Sequence, residues 1–329
     1  MYEYKVPEDV LSGKTTDVYF KRTMDILKAE GINPTVVMEV FPTKDGMLCG
    51  MKEELALLKE ILPKDAEVWA LKDGDSMVRK EVVLRIKAPY QSFGLYETAI
   101  CGYLASSSGW ATAANACVQA AGSTPVTSFG ARHLHPNIAG PMEYAAIVGG
   151  CAGCATIIGA EMAGVNPSGT IPHALVLVMG DTLKAAQAFD KHMAPGVARV
   201  ALVDTFNDET VEAIRVAQAM GDHLQAVRLD TPRERGGVTL ELVRELRARL
   251  DQAGMQHVGI FVSGGFDVEK ITYFKENNAP VVGYGIGSQI TAAKPIEFTA
   301  DIHEIDGRPV AKRGRIPGVT PNPRLQRVI

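Results

Sequence analysis

Two carboxylates and two glycine-rich turns stand at equivalent places in this sequence, each directly after a short apolar run. Val200–Val203 leads into Asp204, and Ala226–Leu229 into Asp230. Val258–Val262 precedes Ser263-Gly264-Gly265, and Val281-Val282 precedes Gly283-Tyr284-Gly285-Ile286-Gly287-Ser288. Glycine lets backbone N–H groups approach an anion closely, so both turns suit phosphate. A carboxylate ending an apolar strand is costly unless it faces a cleft. Asp204 and Asp230 in that position suit sugar hydroxyls and a divalent metal. Arg228 lies two residues before Asp230, on the same side of a strand, where an Arg–Asp pair suits anion and hydroxyl recognition. A phosphorylated sugar is the ligand class these groups share. The competing role is helix capping, open to Asp204 or Asn207 and equally weighted for Asp208.

Two further segments carry basic groups. Phe129-Gly130-Ala131-Arg132-His133 ends another apolar run, and Ser168-Gly169-Thr170-Ile171-Pro172-His173 offers a glycine turn and a histidine. His173 divides evenly between a structural and a chemical role. Tyr19, taken alone, is an ordinary aromatic near a helix start.

The elements that position these groups alternate between apolar runs and amphipathic segments, the signature of a parallel sheet with crossover helices. In barrels built this way the chemistry gathers where strands end. Val126–Phe129 and Ala155–Ile158 are the first strands. Residues 139–149, Thr182–His192, Glu209–Met220, Leu240–Gln252 and Val268–Asn277 are the expected helices. Residues 1–115 differ: Met38–Phe41 and Val82–Ile86 are strand-like, with Lys52–Ile61 helical between them. Leu95–Ala121 is a long helical stretch. After Ile290, Ile296–Thr299 and Ile302–Ile305 are two short strands, followed by an extended Pro- and Arg-rich segment over 313–327. The expected division is an N-terminal domain over 1–115, completed by 291–329, and a barrel domain over 116–290.

Composition excludes several classes. The 329 residues are 46% hydrophobic and 22% charged, with a net charge of −4, which argues against a general nucleic-acid binder. No apolar run reaches membrane-spanning length, and the first residues lack a signal-peptide pattern, so a cytoplasmic protein is expected. The five cysteines, an odd count, favour free thiols. Cys151-Ala152-Gly153-Cys154 has no second cysteine pair nearby and is better explained as buried small residues than as a redox or zinc motif.

Taken together and in order, the motifs resemble the nicotinate phosphoribosyltransferase family over nearly the full length. Thr16-Asp17-Val18-Tyr19 is similar to its N-terminal Thr-Asp-x-Tyr element. Phe129-Gly130-Ala131-Arg132 is similar to its Phe-Gly-x-Arg segment, with His133 where many members carry a second arginine. Gly169-Thr170-Ile171-Pro172-His173 resembles its Gly-Thr-x-x-His motif. The segments around Asp204 and around Arg228 and Asp230 resemble its strand-end carboxylate motifs. The segments Ser263-Gly264-Gly265 and Gly285-Ile286-Gly287-Ser288 resemble its phosphate loops. Arg233 and Arg235 stand where longer members have Ser-Gly-Asp, as in a shorter archaeal-type subgroup.

The resemblance implies an irregular open α/β barrel with an N-terminal α/β sandwich domain. It implies a homodimer with shared active sites, in which Tyr19 stacks on the pyridine ring bound by the partner subunit. The implied activity joins nicotinate to phosphoribosyl pyrophosphate with Mg2+, releasing pyrophosphate. Arg132, His173, Asp204, Arg228 and Asp230 are then the catalytic set. Tyr19, His133, Thr170 and Arg235 contact substrate, and Ser263, Gly264, Gly265, Gly285, Gly287 and Ser288 hold phosphate. Many members couple the reaction to ATP through the motif histidine, here His173, for which an orienting role is the alternative. No zinc is expected, since no cysteine follows Cys154. The nearest rival enzyme is a quinolinate phosphoribosyltransferase, which shares the fold. It is disfavoured by the lack of a close motif match and by the larger basic cluster that a second carboxylate would call for. A rival from another class is a non-catalytic sensor of a phosphorylated ligand.

Overall fold

A computed structural model describes residues 2–329. In chain order the strands are β1 Thr35–Pro42, β2 Gly46–Met47, β3 Glu67–Ala70, β4 Ser76–Met77, β5 Leu84–Pro89, β6 Val126–Ser128 and β7 Gly153–Cys154. They continue with β8 Val200–Leu202, β9 Ala226–Leu229, β10 Gly259–Val262, β11 Gly283–Ile286, β12 Phe298–Ile305, β13 Arg308–Pro309 and β14 Gln326–Arg327. The chain forms two compact units, Met1–Ala113 with Ala293–Ile329, and Ala114–Ala292. The chain passes from the first unit to the second within one helix, Glu97–Ala121. Among the described residues no helix is long and apolar enough to cross a membrane.

The first unit is built on a sheet of order β13-β12-β1-β5-β3-β14. All of its strand pairings are antiparallel. Its core gathers Val36, Met38 and Val40 of β1 with Leu84 and Ile86 of β5, Leu57 and Leu58 of helix Met51–Ile61, and Ile100 and Leu104. The two short strands expected after Ile290 are a single strand, β12, which pairs with β1 along its length. The 313–327 segment is tied down by side chains. Arg315 donates to Asp301, the Thr320 N–H to Glu39 and Asn322 to the Val82 carbonyl.

The second unit holds a sheet of order β7-β6-β11-β10-β9-β8. Every neighbouring pair is parallel. The sheet is curled and open, since β7 and β8 end it without pairing to each other. Its strands are short, buried runs, as a parallel sheet covered by helices requires. The helices start where the sequence supplies caps. Asp181, Asp208, Thr239 and Asp267 each accept backbone N–H groups at the head of the following helix. Helix Leu240–Gln252 buries Leu240, Val243, Leu246 and Leu250 and leaves its charged face outward.

Two strand assignments need correction. Ala155–Ile158 is not a strand: β7 ends at Cys154, and Thr156 caps helix Ile157–Ala163 by accepting the Gly159 N–H at 3.1 Å. The last barrel strand is not Val281-Val282 but β11, the glycine-bearing stretch expected to be a turn. Glycine is needed there for packing. A Cβ on Gly283 would meet the Phe261 ring at 2.7 Å, and one on Gly285 would meet the Phe129 ring at 2.5 Å.

Candidate active site

The C-terminal ends of the parallel strands carry the reactive side chains. Asp204 follows β8 and is almost wholly buried, with 1% of its side chain exposed. Its Oδ2 accepts the Asp230 N–H at 2.8 Å, tying the ends of β8 and β9 together. Its Oδ1 has no hydrogen-bond partner. Burial raises the Asp204 carboxyl above the ordinary range, against the opposing pull of His173 and of the N–H groups it accepts. Asp230 accepts the Ser263 hydroxyl at 2.9 Å on Oδ1.

His173 stands between the two carboxylates. Its Nε2 lies 3.8 Å from Asp204 Oδ1 and 3.7 Å from Asp230 Oδ2, and its Nδ1 is 3.0 Å from the Thr205 hydroxyl. The ring is thus held through Nδ1 by Thr205 while Nε2 faces the two carboxylates, groups from two segments distant from it in sequence.

Arg228 points from β9 to the same place. Its Nη1 donates to the Thr170 hydroxyl at 2.6 Å, its Nη2 lies 3.8 Å from Asp230 Oδ2, and it sits over the Phe129 ring. Its Nε is unpaired. Burial lowers the guanidinium from its ordinary value, while Asp230 and Asp204 work to restore it. An arginine so placed keeps donors free for an anion.

Arg228 and Asp230 border a cleft of about 430 Å³ lined also by Phe129, Arg132, His133, Thr170, the Ser263–Phe266 turn, Gly285, Gly287 and Ser288. Gly264 and Gly265 have φ of +83° and +77°, a backbone that disfavours other residues. A Cβ on Gly264 would also press on Asp230 Oδ1 at 3.0 Å. Gly287 is close-packed, 2.9 Å from a His133 ring atom if it bore a Cβ.

Most of the candidate residues therefore line one cleft, but four do not: Asp204 and His173 adjoin it through Asp230, and Arg235 and Tyr19 are not part of it. Arg235 is absent from the lining and lies 3.5 Å from Glu209 Oε2, which also accepts the Thr231 hydroxyl through Oε1. Tyr19 belongs to the first unit, where it is 56% exposed on helix Val18–Ala29. Gly285 lines the cleft from within β11, where the Phe129 ring accounts for its lack of a side chain. Asp208 caps helix Glu209–Met220, accepting the Thr210 and Val211 N–H groups at 3.0 and 3.2 Å.

Sequence reasoning missed Glu143. This fully buried carboxylate accepts four donors: the Ala155 N–H at 3.1 Å, the Thr156 N–H at 2.6 Å and its hydroxyl at 2.8 Å, and the Ser128 hydroxyl at 3.3 Å. It braces the ends of β6 and β7, which carry Phe129 and Ala155 to the cleft wall. The available signal was an acid inside the otherwise apolar helix Ala139–Val148. Thr205 was passed over as part of a capping segment.

Comparison with known proteins corrects the family. The quinolinate phosphoribosyl transferase N-terminal domain matches residues 17–108, and the C-terminal domain of the same family matches 110–301. A nicotinate-nucleotide pyrophosphorylase from Pyrococcus furiosus is 43% identical, with a TM-score of 0.88 over 97% of this chain and 82% of that one. Human nicotinic acid phosphoribosyltransferase, at 18% identity and a TM-score of 0.71, covering 92% of this chain and 77% of its own, shares the fold. Nicotinate phosphoribosyltransferase pncB2 of Mycobacterium tuberculosis is 31% identical over 69% of this chain and 49% of its own length. The Bacillus subtilis nicotinate phosphoribosyltransferase is 26% identical over 78% of this chain and 53% of its own. This chain thus spans about half the length of those curated relatives. The motifs that pointed to the nicotinate family mark strand ends of a fold the two families share, and so could not separate them. With both domain models matched in order along one chain, the protein belongs to the quinolinate phosphoribosyl transferase family.

Proposed function

We propose that this protein transfers the phosphoribosyl group of phosphoribosyl pyrophosphate to the ring nitrogen of a pyridine carboxylate in NAD biosynthesis, and that the acceptor is quinolinate. The reading is carried by one observation: a single cleft joins the Gly264-Gly265 and Gly287 turns to Asp230, Arg132, His133 and Arg228. Phosphate, ribose hydroxyls and an anionic ring each find a chemically matched group there. The family match supports quinolinate as the pyridine.

In this reading the nitrogen lone pair attacks the anomeric carbon as pyrophosphate departs, so no general base is required. The 2-carboxylate leaves as CO2, and the ring carbon takes up a proton. The protein's contribution is positioning and electrostatics. Arg228 and Arg132 supply positive charge for the anions, and Asp230 and Asp204 face the charge that builds on the ribose. A divalent cation carried by pyrophosphate fits Asp204, whose buried Oδ1 lacks a partner, and Asp230 beside it. Such a cation would neutralise the leaving group. Two carboxylates fill only part of a magnesium shell, leaving the rest to substrate oxygens and water.

Nicotinate is the second reading, favoured by the names of the curated relatives at 26–31% identity. Turnover of quinolinate and nicotinate side by side, with CO2 release followed from carboxyl-labelled quinolinate, tests both. Labelled CO2 formed in step with pyrophosphate supports quinolinate. Pyrophosphate formed from nicotinate alone would sink it. The proposed assembly is a homodimer in which Tyr19 of each subunit serves the cleft of the other, supported so far by the exposure of that aromatic ring.

A further inference from the structure

The turn after β9 carries two arginines with different surroundings. In the single 3-10 turn Arg233–Arg235, Arg235 is drawn to Glu209. Arg233 lies instead beside the cleft's glycine turn, its Nη2 3.6 Å and its Nε 3.8 Å from where a Cβ on Gly265 would stand. Gly264 and Gly265 both have positive φ, a backbone that leaves the turn bare of side chains and open to close approach by an anion. On the far side of the same turn Lys270 places its Nζ 4.3 Å from the centre of the Phe266 ring, and Phe266 lines the cleft. Burial lowers the Lys270 ammonium from its ordinary value; Asp267 opposes this, and the neighbouring Arg233 charge adds to it. Neither Arg233 nor Lys270 forms an ion pair among the described residues. The nearby carboxylate, Asp267, accepts the Lys270 backbone N–H at 2.8 Å as a helix cap. The other carboxylate at the turn, Asp230, accepts the Ser263 hydroxyl at 2.9 Å, so Arg233 and Lys270 are the cations of the turn left without a carboxylate ion pair.

We propose that Arg233, backed by Lys270, binds the phosphate monoester end of the sugar substrate at the Gly264-Gly265 turn, and that Arg233 rather than Arg235 sets affinity for that group. The identity of the sugar rests on the phosphoribosyl reading, but the anion contact can be tested without turnover. The planar guanidinium can give two parallel N–H donors to phosphate oxygens that the turn's backbone holds from the other side.

The test uses the full chain and measures equilibrium binding of ribose 5-phosphate and of inorganic phosphate by calorimetry. Arg233→Ala should weaken both by about 10-fold or more, the loss of one charge-assisted contact. Arg233→Lys should recover part of it, and Arg235→Ala should stay within about 2-fold of wild type. Steady-state data should show a raised KM for phosphoribosyl pyrophosphate and an unchanged KM for the pyridine. Wild-type affinity in a folded Arg233→Ala protein overturns the proposal, as does an equal loss in Arg235→Ala. Loss for ribose 5-phosphate with phosphate binding intact also overturns it, since the contact would then be to the sugar. If Arg233→Ala loses phosphate while the wild type turns over no pyridine carboxylate, the contact stands and the functional reading falls.

Discussion

Asp204 is where burial and chemistry conflict most directly. Its carboxyl is raised by burial, so the folded protein holds a proton there that the unfolded chain has already released. Its contribution to stability therefore falls as pH rises from the ordinary carboxylate pKa to the raised folded value. Asp204→Asn should be at least as stable as wild type at neutral pH. Its turnover should fall about 100-fold, as when one preorganised charge is removed from a reacting centre. A destabilised variant, or one with wild-type kcat, would count against the assignment. Asp204 and Asp230 were legible because each ends an apolar run, where only a cleft makes a charge tolerable, and Arg228 because it shares a strand face with Asp230. The placement of His173 between the two carboxylates was not legible, because it depends on contacts between segments far apart in sequence. The separate fates of Arg233 and Arg235 were not legible either, since a 3-10 turn sends neighbouring side chains in different directions.

At the scale of elements, caps and apolar runs gave the crossover helices nearly to the residue. Glycine gave the wrong element at β11, since a residue chosen to admit two aromatic rings looks in sequence like one chosen for a turn. Helix Ala139–Val148 shows how an element can serve the cleft without lining it. Glu143→Ala leaves four donors without their acceptor and should cost about 3 kcal/mol in denaturant unfolding. Glu143→Gln should recover only part of this, because its amide NH2 faces donors. If Glu143→Ala unfolds at the same denaturant concentration as wild type, the bracing role is wrong. Helix Met51–Ile61 holds a different acid. Glu54 is fully buried, neither of its oxygens has a hydrogen-bond partner, and burial pushes its carboxyl from 4.5 to about 8. Stability should fall as pH rises through that window and level off above it. The span is on the order of 4 kcal/mol. Glu54→Gln should remove most of the slope between pH 7 and 8 and lessen it below pH 7 in a series of unfolding curves from pH 4.5 to 9. The slope below pH 7 should persist from Glu53 and Glu97, both raised to about 7. Parallel profiles for the two proteins would refute the account.

For the whole molecule, the parallel open sheet and the antiparallel N-terminal sheet follow from where apolar runs alternate with amphipathic helices and where they do not. The pyridine did not follow, because strand-end motifs report the fold's phosphate and ribose chemistry and say little about the acceptor ring. The proposed homodimer can be tested by mixing subunits. Tyr19→Ala and Asp204→Asn proteins, each impaired alone, should regain activity when unfolded together and refolded as mixed dimers, since one cleft per dimer is then intact. Activity no higher than the average of the two would rule out shared clefts.

The pairing of β1 with β12 also bears on how the chain is made. β1 is complete by residue 42, yet the strand it pairs with on one side spans 298–305. On a ribosome the sheet that begins first must wait until the chain has been made as far as residue 305. The Ala114–Ala292 unit, contiguous in sequence, can close earlier. Until then one edge of β1, rich in Val36, Val37, Met38 and Val40, offers unpaired backbone to any passing strand. A chaperone that shields nascent chains would find its longest-lived client surface there, and expression at high translation rates should send this protein to inclusion bodies through that edge.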